Sequence, residues 1–428
     1  MSEPDAGSAP VAGRGRRDAA VLAVGSALGG VLAYVFFVLV IRALGAQAAA
    51  PITVLWAWWG FAGAALTFPV QHWITRTSAA SAGEAAVRRG IGHLAAAVTV
   101  TSVVAGGLAW LARDRLFGPD GEWFVLLVVG VGLGSGLLGL PRGLLSARRR
   151  FASVAASIVA ENALRVLVAA ALVIGGSENP LLYGLALLAG YAIVVLWPGA
   201  LVPGREGEVA AVPIQRPLSF VSGASAGQLV AQATLTGGPV LLAAIGGARS
   251  EVTVLFAGLA LFRAPYTLAL GLVSALTGRL TQLVENNRWA TLARFRRRIV
   301  AVTAVLCAAG AGLGAWWGPP VMEVIFGAGV RLPSLDAALV AVGTVLAMAN
   351  LVLTVGLLAR NRAGAVVSSW AIALPFGALA LWLIDADAVT RVCWTFVVIE
   401  ACAFVALIAT EARSDHFVGR QEDRGPER

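Results

Sequence analysis

Apolar runs long enough to cross a bilayer fill this chain almost end to end, and they leave it one kind of fold. We count twelve, at about residues 19–42, 52–75, 91–112, 122–145, 153–175, 180–202, 217–244, 251–277, 299–317, 334–359, 364–384 and 389–411. A helix rises ~1.5 Å per residue, so about 20 residues match a hydrocarbon core ~30 Å thick. In that medium each backbone N–H and C=O needs a partner inside its own segment, which a helix supplies. The expectation is an all-α polytopic membrane protein. Composition agrees: 58% of the 428 residues are hydrophobic and 13% are charged. Loops on one side are short and leave no room for an enzyme or receptor domain there.

The charges set an orientation. All 32 basic residues are arginine, which removes a Walker A lysine, a Schiff base and a Ser-Lys dyad. The net charge of +9 sits at helix ends and does not call for nucleic acid. Placing the tail 1–18 in the cytoplasm collects most arginines on that side, among them Arg14, Arg16, Arg17, Arg88, Arg89, Arg142 and Arg148–Arg150. Arg294, Arg296, Arg297 and Arg298 join them, while Arg42, Arg113, Arg115, Arg249, Arg331 and Arg391 fall outside. Only Arg165 and Arg263 lie deep. This positive-inside asymmetry supports an even number of spans with both termini, including the tail 412–428, in the cytoplasm. The first apolar run exceeds a signal-peptide core and reads as an uncleaved helix. Cys307, Cys393 and Cys402 all lie in apolar segments, as packing residues rather than disulfide partners.

The spans divide into two sets of six. Pro51-Ile52-Thr53-Val54-Leu55 opens the second span and Glu251-Val252-Thr253-Val254-Leu255 opens the eighth. Each follows a glycine turn, Ala43-Leu44-Gly45 or Ala244-Ile245-Gly246, and each helix then reaches a proline, Pro69 or Pro265. Six spans are an even number, so the halves enter the membrane alike and are related by an axis along its normal. The lobes are 19–202 and 217–411, joined by the linker 203–216 with its Pro203, Gly204, Gly207 and Pro213. Between spans eight and nine, Trp289, Leu292 and Phe295 recur at helical spacing beside arginines, which suits an amphipathic helix on anionic lipid. A solvated linker is the alternative.

Polar groups at depth are few. In Leu261-Phe262-Arg263-Ala264-Pro265, Arg263 lies about a dozen residues into its span, near the midplane. A guanidinium keeps its charge there at a cost of roughly 2.5–3.5 kcal/mol or more. Pro265 removes a backbone donor at the same depth and marks a helix break or hinge. Together they point to an anion site; a buried carboxylate paired with Arg263 is the competing account. Glu161 and Arg165 are four apart on one face and neutralise each other or contact substrate. Gln228 and Gln232 share a face, as interhelical glue or as contacts for sugar hydroxyls. Glu400 is the deep carboxylate of the second half, for ion coupling, for balancing Arg263, or for packing in its protonated form. Arg42 ends the first span, where snorkelling alone accounts for it. Gly134-Ser135-Gly136-Leu137-Leu138-Gly139 matches a dinucleotide fingerprint, but within an apolar helix it reads as a surface for close helix packing. No metal-ligand cluster, nucleophile–base set or nucleotide motif emerges, so neither an enzyme nor a cofactor is expected.

Several of these stretches resemble one family. Gly25-Ser26 with Arg42-Ala43-Leu44-Gly45, Phe68-Pro69-Val70-Gln71, Arg142-Gly143 followed by Arg148-Arg149-Arg150-Phe151, and Leu261-Phe262-Arg263-Ala264-Pro265 are similar to patterns of polysaccharide flippases. These belong to the multidrug/oligosaccharidyl-lipid/polysaccharide exporter superfamily. The resemblance implies two six-helix lobes around a lumen, alternating access, and a bacterial plasma-membrane location. It also implies a polyprenyl diphosphate-linked glycan as substrate, bound by lumen arginines. Its partners would be the lipid-linked glycan, the bilayer and glycosyltransferases or a polymerase of the same pathway, with the protein itself a monomer. Two other classes stay open: an ion-coupled drug or toxin exporter of the same superfamily, for which Glu161 and Glu400 speak, and a non-transporting scaffold of a glycan-assembly complex.

Overall fold

The first structural event along the chain is a glycine that only a glycine could fill. The computed structural model describes residues 9–80, 83–118, 121–205, 229–286, 288–360 and 362–422. Its first helix, α1 (Ala9–Ala62), is two spans joined at Gly45, whose φ of 73° and ψ of 169° break the helical backbone. Side chains are strained at such a positive φ and glycine is not. The corresponding turn at Gly246 also has positive φ, 90°. The sequence repeat therefore coincides with a repeat of positive φ.

The remaining helices are α2 (Phe68–Ala80), α3 (Ala85–Leu111), α4 (Arg113–Leu116), α5 (Gly121–Ala147), α6 (Phe151–Ile174) and α7 (Pro180–Ala189). There follow α8 (Gly238–Ala244), α9 (Arg249–Glu285), α10 (Trp289–Phe326), α11 (Ser334–Ala359), α12 (Ala363–Leu383) and α13 (Ala388–Glu422). Among the described residues, eight helical stretches are long and apolar enough to cross a membrane, the first of them (Arg17–Ala79) holding two of the expected spans. The protein is an all-helical, multi-pass membrane protein. Trp110, Trp123, Trp316, Trp317 and Trp382 are exposed near helix ends, where indole rings favour the membrane–water interface. The three cysteines are free.

The chain forms two compact units. One contains Met1–Ala43, Ala62–Leu111 and Glu122–Ser225; the other contains Leu44–Phe61, Ala112–Gly121 and Ala226–Arg428. The units thus differ from a plain division into sequence halves, because 44–61 and 112–121 pack with the second half. Most of the expected linker, together with Gln228, lies outside the described residues.

In the first unit α5 is the axis, and its glycines do the work assigned to them. A Cβ on Gly132 would sit 2.4 Å from Ser102 Oγ, one on Gly136 2.3 Å from Val98, and one on Gly134 2.2 Å from Tyr191. Gly139 faces backbone: its Cβ would lie 2.9 Å from the Thr67 carbonyl oxygen. That carbonyl belongs to a π-helical turn, Gly63–Thr67, in which Phe68 N–H reaches back to Gly63 O. The turn stands immediately before Pro69, which has no N–H to continue an α-helical ladder. Thr67 Oγ1 donates to Ser135 O at 3.0 Å and ties the turn to α5. At the arginine-rich end, Arg148 grips Glu84 with Nε and Nη2 at 2.6 and 2.7 Å, and Glu84 also accepts from Gly204 N. The fork of hydrogen bonds from Arg148 holds the Glu84 carboxyl below its ordinary range.

In the second unit α11 is central and packs on α9, α10 and α13. Within the described part of the expected seventh span, residues 229–236 and α8 follow one another through Gly237. That residue keeps helical angles (φ −80°, ψ −10°), donates to Ala233 O at 2.7 Å and accepts from Leu241 N at 2.9 Å. Pro239 has no N–H to add to this ladder. The expected amphipathic helix between spans eight and nine is corrected: it is the first turns of α10, a single 38-residue helix. The apolar residues of these turns pack on protein. Leu292 is buried beside Leu280 of α9 and Val355 of α11, with Trp289 and Phe295 against the same cluster.

The glycine packing predicts a contrast. Gly139→Ala must displace the Thr67 carbonyl and should destabilise by roughly 1–3 kcal/mol. Gly107→Ala, on an open face of α3 with nothing within 4 Å, should be neutral or gain up to about 1 kcal/mol. Thermal unfolding of the two purified variants in detergent checks this.

Candidate functional site

Burial sorts the deep charges into satisfied and unsatisfied. In the first unit, Glu161 and Arg165 of α6 do pair across one helical turn, but the cluster has a third member. Arg142 of α5, expected among the cytoplasmic arginines, is buried instead. Its Nη2 donates to Glu161 Oε2 at 2.7 Å and its Nε to Ser157 Oγ at 3.0 Å. Only its position inside the apolar run of α5, six residues short of Arg148, hinted at this.

One carboxylate between two guanidinium groups leaves a net positive charge, which the surroundings disperse. Arg165 Nε donates to Leu187 O at 2.8 Å, and Nη1 to Asn162 Oδ1 at 3.3 Å. The Tyr191 ring centroid lies 5.4 Å from the guanidinium carbon, within cation–π range. The Leu187 carbonyl is available because α7 ends at Ala189 and the chain winds on as a 3₁₀ helix, Gly190–Leu196. Gly190 admits the guanidinium: a Cβ there would stand 2.5 Å from Arg165 Nε. Arg165 is 0% exposed and Glu161 2%. Of the two readings of Glu161 and Arg165, this burial favours the structural pair over a substrate contact; every charge in this cluster is turned onto protein.

The second unit holds the opposite case. Arg263 is half-buried on α9, its buried Nε lacks a hydrogen-bond partner, and among the described residues no ion pair reaches it. The pairing with Glu400 does not form. Glu400, 0% exposed on α13, instead accepts from Asn350 Nδ2 of α11 at 2.7 Å, and the same nitrogen donates to the Glu400 carbonyl at 2.9 Å. Glu400 Oε1 and Asn350 Oδ1 are left without donors among the described residues. Tyr266, one turn beyond Arg263, is buried. Sequence reading missed it. The helix break expected at Pro265 is also corrected: α9 runs unbroken from Arg249 to Glu285. Pro265 is exposed, and its missing N–H costs the helix one hydrogen bond.

Gln232 lies on the helical turn ahead of Gly237-Gly238-Pro239. Gln232 Nε2 comes so close to Gly60 that a Cβ there would be 3.1 Å from it, and 3.4 Å from Thr236 Oγ1. The adjoining residues are aromatic. Trp56 and Trp59 rings are 4.5 Å apart, Trp58 and Phe61 5.7 Å, and the buried Trp58 Nε1 has no acceptor among the described residues. Arg42 is exposed just before the Gly45 turn.

One end of this unit is clasped by two arginines bonding to carbonyls. Arg115 Nη1 donates to Ala244 O at 3.0 Å, and Arg249 Nη2 to Phe117 O at 2.9 Å. Gly118, with φ of 79°, makes the second bond possible, because a Cβ there would fall 1.0 Å from Arg249 Nη2.

No protein-family model and no curated protein matches the sequence. Solved structures do match the fold. An inward-facing multidrug resistance MATE family transporter of the MOP superfamily aligns with a TM-score of 0.68 at 13% identity, over 92% of this chain and 96% of that one. A eukaryotic MATE transporter aligns at 0.60 and 14% identity, over 94% and 98%. A MOP superfamily transporter from Pyrococcus furiosus, described by a reverse polarity of its binding pocket, aligns at 0.59 and 12%, over 95% of each chain. The chain has the fold of the MOP superfamily transporters.

The buried cluster of the first unit predicts its own structural role. Glu161→Gln leaves two buried guanidinium groups without an anion and should cost roughly 3–5 kcal/mol. Replacing Glu161, Arg142 and Arg165 together by leucine or methionine should restore most of the lost stability, read as the melting temperature in detergent.

Proposed function

We propose that this chain is a flippase that moves a polyprenyl diphosphate-linked oligosaccharide, or a similar polysaccharide precursor, from the inner to the outer leaflet of a bacterial plasma membrane. The observation that carries the reading is Arg263. A guanidinium on an apolar bundle helix is costly unless something anionic meets it. Arg142 and Arg165 have Glu161; Arg263 has no such partner among the described residues. A diphosphate loses water on entering such a site, and the two-pronged, charge-assisted bonds of arginine replace that water better than any other side chain.

Two further features fit a glycan. Gln232 on the seventh span offers both a donor and an acceptor for hydroxyl groups. The aromatic residues Trp58, Trp59 and Phe61, in the same compact unit, offer flat apolar faces with an indole N–H to spare. On this reading α9 and the seventh span form part of the lumen, Arg115 and Arg249 clasp its outer end, and the fold alternates access by opening that clasp. Glu400 supplies coupling: it is buried without a counter-cation, and one oxygen lacks the donor that a proton would give it. The reversed pocket polarity described for the Pyrococcus furiosus transporter supports the idea that this fold accepts pockets of more than one electrostatic character.

A single assay tests the proposal: export of the lipid-linked glycan, with folded protein quantified in parallel. Arg263→Ala should abolish export while leaving the fold intact, because no carboxylate loses its partner. Arg263→Lys should keep part of the activity, since charge remains and the fork is lost. Glu400→Gln should remove the dependence of export on the proton gradient. Full export by a folded Arg263→Ala variant would refute the anion site.

A further inference from the structure

At the arginine-rich end of the second unit, α9, α10 and α11 enclose a cavity of about 570 Å³. Its walls are apolar, built from Leu283, Phe295, Val302, Leu306, Met348 and Val352, and its mouth carries Arg294 and Arg298. The arginines are four residues apart, so both guanidinium groups stand on one face of α10. Both are exposed. Arg294 makes only two long contacts at 3.4 Å within its own helix, and no ion pair holds Arg298 among the described residues.

The shape has a definite depth. Leu306 lies eight residues beyond Arg298, ~12 Å along the helix. Half of a ~30 Å hydrocarbon core is ~15 Å, so the cavity descends through about one leaflet from the level of the arginines. A flat helix face would be covered by whatever lipid is adjacent. A three-walled recess with paired cations at its rim instead selects a molecule that is anionic at one end and aliphatic at the other.

We infer that this cavity is a binding site for one anionic phospholipid, with a single acyl chain between α9, α10 and α11 and its phosphate on Arg294 and Arg298. The inference does not depend on the flippase reading, because it involves neither Arg263 nor Gln232. The depth favours an acyl chain over the isoprenoid chain of a carrier lipid, which is several times longer and would overrun the recess. Seated there, the lipid would complete the wall where Leu280, Leu292 and Val355 join the three helices.

The test uses the purified full-length protein in detergent, with native mass spectrometry for retained lipid and thermal unfolding as a second reading. The probes are dioleoyl phosphatidylglycerol, dioleoyl phosphatidylcholine, a polyisoprenyl monophosphate and inorganic phosphate. Phosphatidylglycerol should be retained and raise the melting temperature; phosphatidylcholine should be retained far less. The double variant Arg294→Gln with Arg298→Gln should bind phosphatidylglycerol roughly tenfold or more weakly. Leu306→Trp, at a position 46% exposed and so tolerant of bulk, should exclude the chain with both arginines in place. Equal retention of the two phospholipids, or unchanged binding by either variant, would overturn the site. So would stabilisation by inorganic phosphate alone to the same extent, or binding of the polyisoprenyl phosphate in preference to phosphatidylglycerol.

Discussion

A charge inside an apolar helix bundle must find an opposite charge, a hydrogen-bonding group or a ligand, and this constraint organises the molecule. Glu161 draws Arg142 and Arg165 onto itself and so fixes α5 against α6. The excess positive charge requires more: a carbonyl freed by the 3₁₀ winding after α7, an asparagine and an aromatic face. At the end of α11, Arg360 meets Glu411 at 2.9 Å with both side chains 6% exposed. Each of these charges meets its opposite inside the protein. Arg263 follows the opposite pattern, which is why function is placed there and not at the more elaborate cluster of the first unit.

Helix packing and helix interruption share the same small residues. The glycines of α5 bring α3, α2 and Tyr191 so near that a methyl group has no place. Elsewhere the ladder itself changes: a π turn just ahead of Pro69 and a 3₁₀ stretch from Gly190. Pro69 lacks the donor an α-helical ladder needs. The 3₁₀ stretch leaves the Leu187 carbonyl for Arg165. Irregular backbone at membrane depth is tolerated because it is buried in protein.

The fold was legible because a bilayer admits so few solutions: length and hydropathy dictate helices, and the Gly45 and Gly246 turns repeat in both sequence and backbone angle. The Glu161–Arg165 pair was legible from spacing alone. What escaped was tertiary. Arg142 looked like a surface arginine because sequence cannot show that Ser157 and Glu161 of another helix stand beside it. Glu400 looked like a partner for Arg263 because both are deep, whereas Asn350 claims its carboxylate. Pro265 looked like a break because proline strains a helix, yet α9 carries it without interruption. Arg115, Gly118 and Arg249 form one clasp from segments more than a hundred residues apart, and no local pattern announces it.

The account rests on an arginine left open for an anion, and direct binding tests that without relying on transport. Geranyl diphosphate, a short water-soluble prenyl diphosphate, can be titrated calorimetrically into the detergent-purified protein at low and high salt. Saturable binding that weakens with salt and disappears in Arg263→Gln is the expected result. Equal binding by Arg263→Gln, or no binding to the unaltered protein at millimolar ligand, would contradict it.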